Sequence, residues 1–571
     1  MNPAAVQALW AELLVATLGD AGVTTCVVSP GSRSTPLVAA LAADGRLALP
    51  TIIDERAAAF FALGLARATA TPVALVCTSG SAAAHYLPAI VEASEAGVPL
   101  IAITADRPPE LQHCGASQTI DQIKIYGGFT RAAFDLGAPH GSELALRAVR
   151  RTVIQAVTAS RGPRPGPVHL NVPLRKPLEP LAPVTDEEQA LATIAHVPVV
   201  GAPPRMVADA HAVAALVARV AAEPHGIVVA GALPVGFARP PILQLCARAG
   251  YPLLAEAGSQ LRFAARPGVT TIDHADFVLA ANLAPPPRLI IQIGADPVAA
   301  AWPGAKTAFA QAERWILGDT FRDPDGTAHV IVGDVELDVP ARGASDFTRA
   351  WRDAEARAAS AVEQALVAQA LVAHGASEGA AIRAAVAAMP AGAVLQVGNS
   401  LPIRVVDQVA TGDTARAVIT QRGAAGIDGL VASATGASWA GAPVLLLLGD
   451  VSFAHDLGGL LVARLARAPL AIVVIDNGGG RIFGTLPIAT SSSRAAFEAH
   501  FTTRPELDIA AVATALGHRA VSATTPAALG RAVAAALAEP GVTIIHAPVA
   551  ETGARDLRLS VLEHLTGARH G

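Results

Sequence analysis

The sequence predicts an α/β protein of about three doubly wound parallel-sheet domains, and three observations lead there. At 571 residues the chain exceeds one core, because domains usually hold roughly 100–200 residues. Uncharged apolar runs of strand length recur, among them 444–448 and 471–475, which read as parallel strands buried on both faces. One unit also recurs: PVALVCTSGSAAAHYLPAIVEASEAGVPLIAITAD at 72–106 and PVLLLLGDVSFAHDLGGLLVARLARAPLAIVVID at 443–476. Both read Pro, strand, small-residue turn, apolar helix, Pro, strand, Asp.

Taken in order, residues 1–180 form a first α/β domain ending after the strand-like PVHLNVPL, and the Pro- and acid-rich stretch 179–205 is a linker. Residues 206–340 alternate GIVVAG, RLIIQIG and HVIVGD with helical patterns and form a central α/β domain. Residues 350–389, rich in Ala with dispersed charges, read as a helical connector, and 390–571 form the third domain. Gly231 and Gly236 in GALPVG lack the GxGxxG spacing of a dinucleotide site and read as a strand-to-helix turn.

Composition excludes several classes. A hydrophobic content of 52% with 16% charged residues supplies ample core. The net charge of −5, with no basic block, argues against a nucleic-acid partner. Gly, Pro or charge interrupts every candidate 18-residue apolar span, so no membrane insertion is expected. Cys26, Cys77, Cys114 and Cys246 show neither CxxC nor scaffold spacing, as free thiols in a reducing cytoplasm would. No basic residue precedes Arg33, so a signal peptide is not expected. His85, His113 and His455 have no ligand spacing and read as structural or solvent-facing.

The chemistry-bearing positions lie where apolar runs stop. Asp450 follows one run and Asn477 the next, beside three glycines; ligands of open α/β sheets bind at such strand ends. A carboxylate, an amide oxygen and the Gly479 carbonyl are hard ligands that suit Mg²⁺ shared with a phosphate. Two ordinary strand ends would look the same. Glu55 opens an apolar helix, which helix-dipole chemistry alone explains; a carboxylate held against such a helix is also how an enzyme raises a Glu pKa.

The stretches SPGSRSTPL, DERAAAFFALGLA, CTSGSAAAHYLPAIVEA, TADRPPEL, GNSLPIR, RGAAGIDGL and GGGRIFGTLP resemble the 2-succinyl-5-enolpyruvyl-6-hydroxy-3-cyclohexene-1-carboxylate synthases, the thiamine diphosphate enzymes of menaquinone and phylloquinone biosynthesis. The matches cover both outer thirds; the middle third matches weakly. The resemblance implies a pyrimidine-binding, a central and a diphosphate-binding domain. It implies Mg²⁺, with Mn²⁺ as the alternative metal, on Asp450, Asn477 and the Gly479 carbonyl. Ser81, Gly449, Val451, Ser452, Gly480, Ile482 and Phe483 would line the cofactor, and Ile427 would prop its bent form. Glu55 would hydrogen-bond N1′ of the aminopyrimidine from a partner subunit, which makes the protein a homodimer or homotetramer with its active site at the subunit interface.

The implied reaction decarboxylates 2-oxoglutarate and joins the succinyl unit to isochorismate. Both substrates are dianions, and the resemblance assigns Arg33, Arg107, Arg404 and Arg422 to their carboxylates, which suit a planar guanidinium. Ser32, Ser117, Gln118 and Ser400 would be neutral donors around the acceptor. Gln118, Ser400 and Arg404 would act with Glu55 in catalysis. Ile482, Phe483 and Leu486 would form an apolar wall against water. The chain departs from the pattern at Ala300 and Ala301, where members carry basic residues, with Lys306 the nearest substitute. Two alternatives follow: a related thiamine diphosphate carboligase or decarboxylase with another acceptor, or a non-catalytic binder on an inherited scaffold. Retention of Glu55, Asp450 and Asn477 together argues against the second.

Overall fold

Sixteen parallel-paired strands in three sheets carry the fold of the computed structural model, which describes residues 1–196, 201–263, 265–372, 376–414 and 416–567. Parts of the expected linker and connector, 197–200 and 373–375, lie outside the described residues. In the first sheet, β1 (Cys26–Val28), β2 (Val73–Cys77), β3 (Leu100–Asp106), β4 (Ala132–Asp135) and β5 (Val168–Pro173) are ordered β1-β2-β3-β5-β4. In the second, β6 (Gly226–Ala230), β7 (Leu253–Ala255), β8 (Leu289–Ile293), β9 (Glu313–Gly318) and β10 (His329–Val332) are ordered β10-β9-β8-β6-β7. In the third, β11 (Val394–Val397), β12 (Val418–Thr420), β13 (Val444–Gly449), β14 (Leu470–Asp476), β15 (Arg519–Ser522) and β16 (Val542–Pro548) are ordered β12-β11-β13-β14-β16-β15.

The sequence patterns follow from burial. Strands β2 and β3 are buried throughout, and β13 and β14 except at their last residues; a strand covered on both faces has no solvent side on which to place charge. β4 and β15 lie at sheet edges and are mostly unburied, so they lack that signature. The expected connector is two helices, Asp346–Val372 and Glu378–Ala387.

The chain forms two compact units that do not follow chain order. The first comprises Met1–Arg205, Gln421–Ala440 and Gly458–Ala466. Within it, the helix Glu55–Thr69 is capped by the Asp54 side chain, which accepts from the backbone N–H of Ala57, and it buries everything from Ala57 to Ala66. It packs on the helix Leu430–Trp439 with backbones in contact. A Cβ on Gly64 would lie 1.9 Å from the Ser433 carbonyl oxygen, and one on Gly436 1.9 Å from that of Phe61. Only glycine fits either position.

A buried ion pair secures the loop before Leu430. Glu92 receives Arg67 and also accepts the backbone N–H groups of Gly423 (3.0 Å) and Ala424 (2.6 Å). The side chains of Arg67 and Glu92 are 8% and 4% exposed. Removing one member of such a pair leaves the other charge buried and unmatched. Glu92→Ala therefore costs about 3–5 kcal/mol in denaturant unfolding; a loss below about 1 kcal/mol, as for surface pairs, would show the pair to be dispensable.

The second unit comprises Met206–Thr420, Gly441–Leu457 and Arg467–Gly571 and holds the other two sheets. Arg262, 1% exposed, donates to the carbonyls of Ala255, Asp273, Asp407 and Ala410. It thereby ties the end of β7 to the helix Leu401–Val409, which carries Arg404. Burial pushes the Asp407 carboxyl up to about 6, an effect the Arg262 charge opposes.

Candidate active site

In the second unit the candidates gather at the carboxyl ends of β11, β13 and β14. Registering Gly449 with Ile475 sets Asp450 and Asn477 at one edge of the sheet. Asp450 is 6% exposed; its Oδ1 accepts its neighbour Val451 N–H at 2.9 Å and its Oδ2 accepts Gly479 N–H at 2.6 Å. Burial first, then the Asp476 charge, raises its pKa to about 6. Gly479 is required by close approach: at φ +114, a Cβ would lie 2.3 Å from the Thr502 carbonyl oxygen.

Asn477 is 5% exposed, and its Oδ1 is buried without a hydrogen-bond partner. A buried acceptor left this way is costly unless something else satisfies it. Beside the desolvated Asp450 carboxylate, a cation is a group that would satisfy it. The donor set is all hard oxygen, as Mg²⁺ or Mn²⁺ demands, and the residues present fit the metal. No cluster of three His, Cys, Asp or Glu side chains able to hold a metal occurs among the described residues; this set relies on an amide and a backbone carbonyl instead.

In the first unit, Arg33 follows β1 and Arg107 follows β3. Arg33 is 6% exposed, and its Nη1 donates to the Leu174 carbonyl at 2.8 Å. Its Nε and the Nη1 of Arg107 are buried with no acceptor. Burial lowers both pKa values, and the charge of Arg107 lowers that of Arg33 further. The Asp106 carboxylate opposes that lowering in both, and each guanidinium keeps one buried donor without an acceptor. Gln118 Nε2 donates to the Ser79 carbonyl at 2.9 Å. Gln118 (φ 57) and Ser400 (φ 72) hold left-handed backbone conformations unusual for their residue types. Such conformations concentrate at functional positions.

The remaining candidates are placed less deeply. Glu55 is half-buried in the single chain: it sits at the helix tip, and the packed face begins at Ala57. Ser32, Ser81 and Ser117 are exposed, as is Leu486 at 47%, so Leu486 shields nothing in the single chain. Arg404 donates to the Ser400 carbonyl at 2.7 Å. Arg422, Ile427, Gly480, Ile482 and Phe483 are half-buried, Ser452 is buried, and Gly449 and Val451 are half-buried. His85, His113 and His455 face solvent. Lys306 is not available as the substitute for Ala300 and Ala301, because Asp296 (2.7 Å) and Asp325 (2.6 Å) both hold its Nζ.

Sequence reasoning missed Glu378, 1% exposed, whose Oε2 accepts Asn477 Nδ2 at 3.2 Å. Burial pushes its pKa to about 7. It also missed the brace behind the glycine turn. Arg481 Nε donates to the Asn477 carbonyl, while its Nη atoms meet Glu551 (2.7 Å) and Glu498 (3.3 Å). An acidic residue opening an Ala-rich helix, or an Arg in a loop, carries no local sign of such partners.

Comparison with known proteins agrees with this geometry. Residues 10–125 match the family model described as thiamine pyrophosphate enzyme, N-terminal TPP binding domain, and residues 404–547 match the corresponding C-terminal TPP binding domain. Curated relatives named 2-succinyl-5-enolpyruvyl-6-hydroxy-3-cyclohexene-1-carboxylate synthase include those of Sorangium cellulosum, 43% identical over 96% of this chain and 94% of the relative. Those of Geobacillus thermodenitrificans (39%; 94% and 92%) and Halobacterium salinarum (37%; 98% and 98%) carry the same name. Among solved structures, benzoylformate decarboxylase from Polynucleobacter necessarius superposes with a TM-score of 0.70 at 17% identity, covering 95% of this chain and 98% of that one, a likeness of fold. Among the described residues no helix is long and apolar enough to cross a membrane.

Proposed function

The chain belongs to the 2-succinyl-5-enolpyruvyl-6-hydroxy-3-cyclohexene-1-carboxylate synthase family of thiamine diphosphate enzymes, and from that premise we propose how its residues divide the work. The reaction is the carboligation of menaquinone biosynthesis, in which 2-oxoglutarate loses CO₂ and its succinyl unit is joined to isochorismate. The bound cofactor supplies the electron sink that decarboxylation requires.

Asp450, the Oδ1 of Asn477 and the Gly479 carbonyl would hold the divalent metal, and Ser452 would add a hydroxyl to the phosphate-binding part of the site. Glu55 would hydrogen-bond the aminopyrimidine of the bound cofactor and hold a proton there. As it is half-buried in a single chain, a second copy completes its surroundings, and the working form is a homo-oligomer. Arg33 and Arg107 bind carboxylates of the dianionic substrates, joined by Arg404 and Arg422. Gln118 and Ser400 donate hydrogen bonds to the acceptor, and Ile482 and Phe483 keep water from the reacting carbon.

The observation that carries the choice of substrate class is the pair of buried, acceptor-less guanidinium nitrogens on Arg33 and Arg107. A thiamine diphosphate enzyme acting on a neutral or singly charged acceptor has no need of both. The test is an assay with thiamine diphosphate, Mg²⁺ and 2-oxoglutarate, following CO₂ release and isochorismate loss together. Stoichiometric consumption of both substrates is the expected result. CO₂ release that ignores isochorismate would move the acceptor elsewhere.

A further inference from the structure

The side-chain amide of Asn477 has two ends, and only the oxygen binds a cation; the –NH₂ end repels one. Asn477 can therefore serve a metal only if its amide is held one way round. Here Nδ2 donates to Glu378 Oε2 at 3.2 Å, while Oδ1 is buried and unpartnered. Glu378 lies on another element, opening the helix Glu378–Ala387, whose Ala381, Ile382, Ala385 and Val386 are buried and fix it in place. Nothing in the roles assigned above uses this carboxylate.

We propose that Glu378 is a positioning residue for the metal: by taking only the –NH₂ end of Asn477, it turns the amide oxygen toward the cation. The chemistry of the residue type explains the choice. In its ionised form a carboxylate only accepts hydrogen bonds, and the oxygen facing Asn477 accepts from Nδ2, so that form rewards one amide orientation. A Gln in its place could accept from Nδ2 or donate to Oδ1, and would tolerate both. Partners behind a metal ligand commonly govern affinity in this way, with losses of about 10–100-fold on removal. The inference rests on the metal reading of Asp450 and Asn477.

The test uses the full chain freed of metal, with saturating thiamine diphosphate, and titrates Mn²⁺ while its free concentration is followed by electron paramagnetic resonance. Glu378→Leu is expected to weaken Mn²⁺ binding by about 10–100-fold. The thermal midpoint of its metal-free form should fall by only a few degrees, because one buried donor, Asn477 Nδ2, loses its acceptor. Glu378→Gln is expected to restore much of the affinity. An unchanged affinity in Glu378→Leu, beside a wild type that binds, would overturn the inference alone. A wild type that binds no Mn²⁺ would overturn the metal reading and the inference with it.

If Glu378→Leu does not fold, Asn477→Asp decides the matter. With oxygens at both ends, position 477 needs no orientation, and the neighbouring carboxylate only repels it. Glu378→Gln should then tighten Mn²⁺ in the Asn477→Asp background and loosen it in the native one. The same sign in both backgrounds would overturn the proposal.

Discussion

Glu55→Gln should lower turnover by about 10²–10⁴-fold, the usual worth of a positioned proton-transfer group, while thiamine diphosphate remains bound. The substitution keeps shape and replaces the ionisable carboxyl with an amide that does not titrate. Helix integrity is not at stake: Asp54 supplies the cap, and a first-turn charge is worth about 0.3–1 kcal/mol. The bland account of Glu55 as a helix-dipole residue therefore predicts a small stability loss and normal turnover. Steady-state rates and cofactor titration on one sample separate the two accounts. A mixing experiment adds the oligomer. If Glu55 serves the partner, equal amounts of Glu55→Gln and Asp450→Ala chains, each inactive alone, should regain about a quarter of wild-type activity. Random pairing makes half the dimers mixed, each with one sound site. No recovery after subunit exchange would place Glu55 and Asp450 in the same site from the same chain.

Arg33→Met should lower kcat/KM for the dianionic substrate it serves by about 30- to 4,000-fold, corresponding to about 2–5 kcal/mol for removing one side of a buried charged contact. Met preserves much of the stem's packing, so the loss belongs to the guanidinium. Arg33→Lys should recover little, since a point charge cannot reproduce a two-nitrogen fork on a carboxylate. The control is an alternative 2-oxo acid or acceptor lacking one carboxylate. Its rate, already low, should be far less sensitive to Arg33→Met. Equal sensitivity for mono- and dianionic substrates would mean that Arg33 acts by holding the Leu174 carbonyl and not by binding substrate.

What could be read from sequence depended on whether the signal was local. β13 and β14 were legible because full burial makes an uncharged run, and the run ends where Asp450 and Asn477 begin. Arg33 and Arg107 were legible through motif stretches at the carboxyl ends of strands. Glu378 was not, because its partner lies 99 residues away. Glu92 was not, because it meets Gly423 across 331 residues. Lys306 looked like a spare cation until Asp296 and Asp325 were found around it. Gly64 and Gly436 look like tolerated glycines inside helices; only the touching backbones make each obligatory. Edge strands β4 and β15 lack an alternating or fully apolar pattern because neither is well covered.

That helix contact sets an order of events during synthesis. The helix Glu55–Thr69 also packs on β2 and the helix Leu87–Ala96, but its most extensive contact is with Leu430–Trp439, so the face that Gly429 and Trp439 meet at Phe60 and Phe61 leaves the ribosome long before those residues exist. At about 5–20 residues per second, the wait lasts roughly 20–70 s. Nascent chains halted near Arg205 should be open to proteases and should recruit chaperones through this face, and those extended past Ala466 should not. The unit that carries Arg33 and Arg107 is thus begun first and finished late.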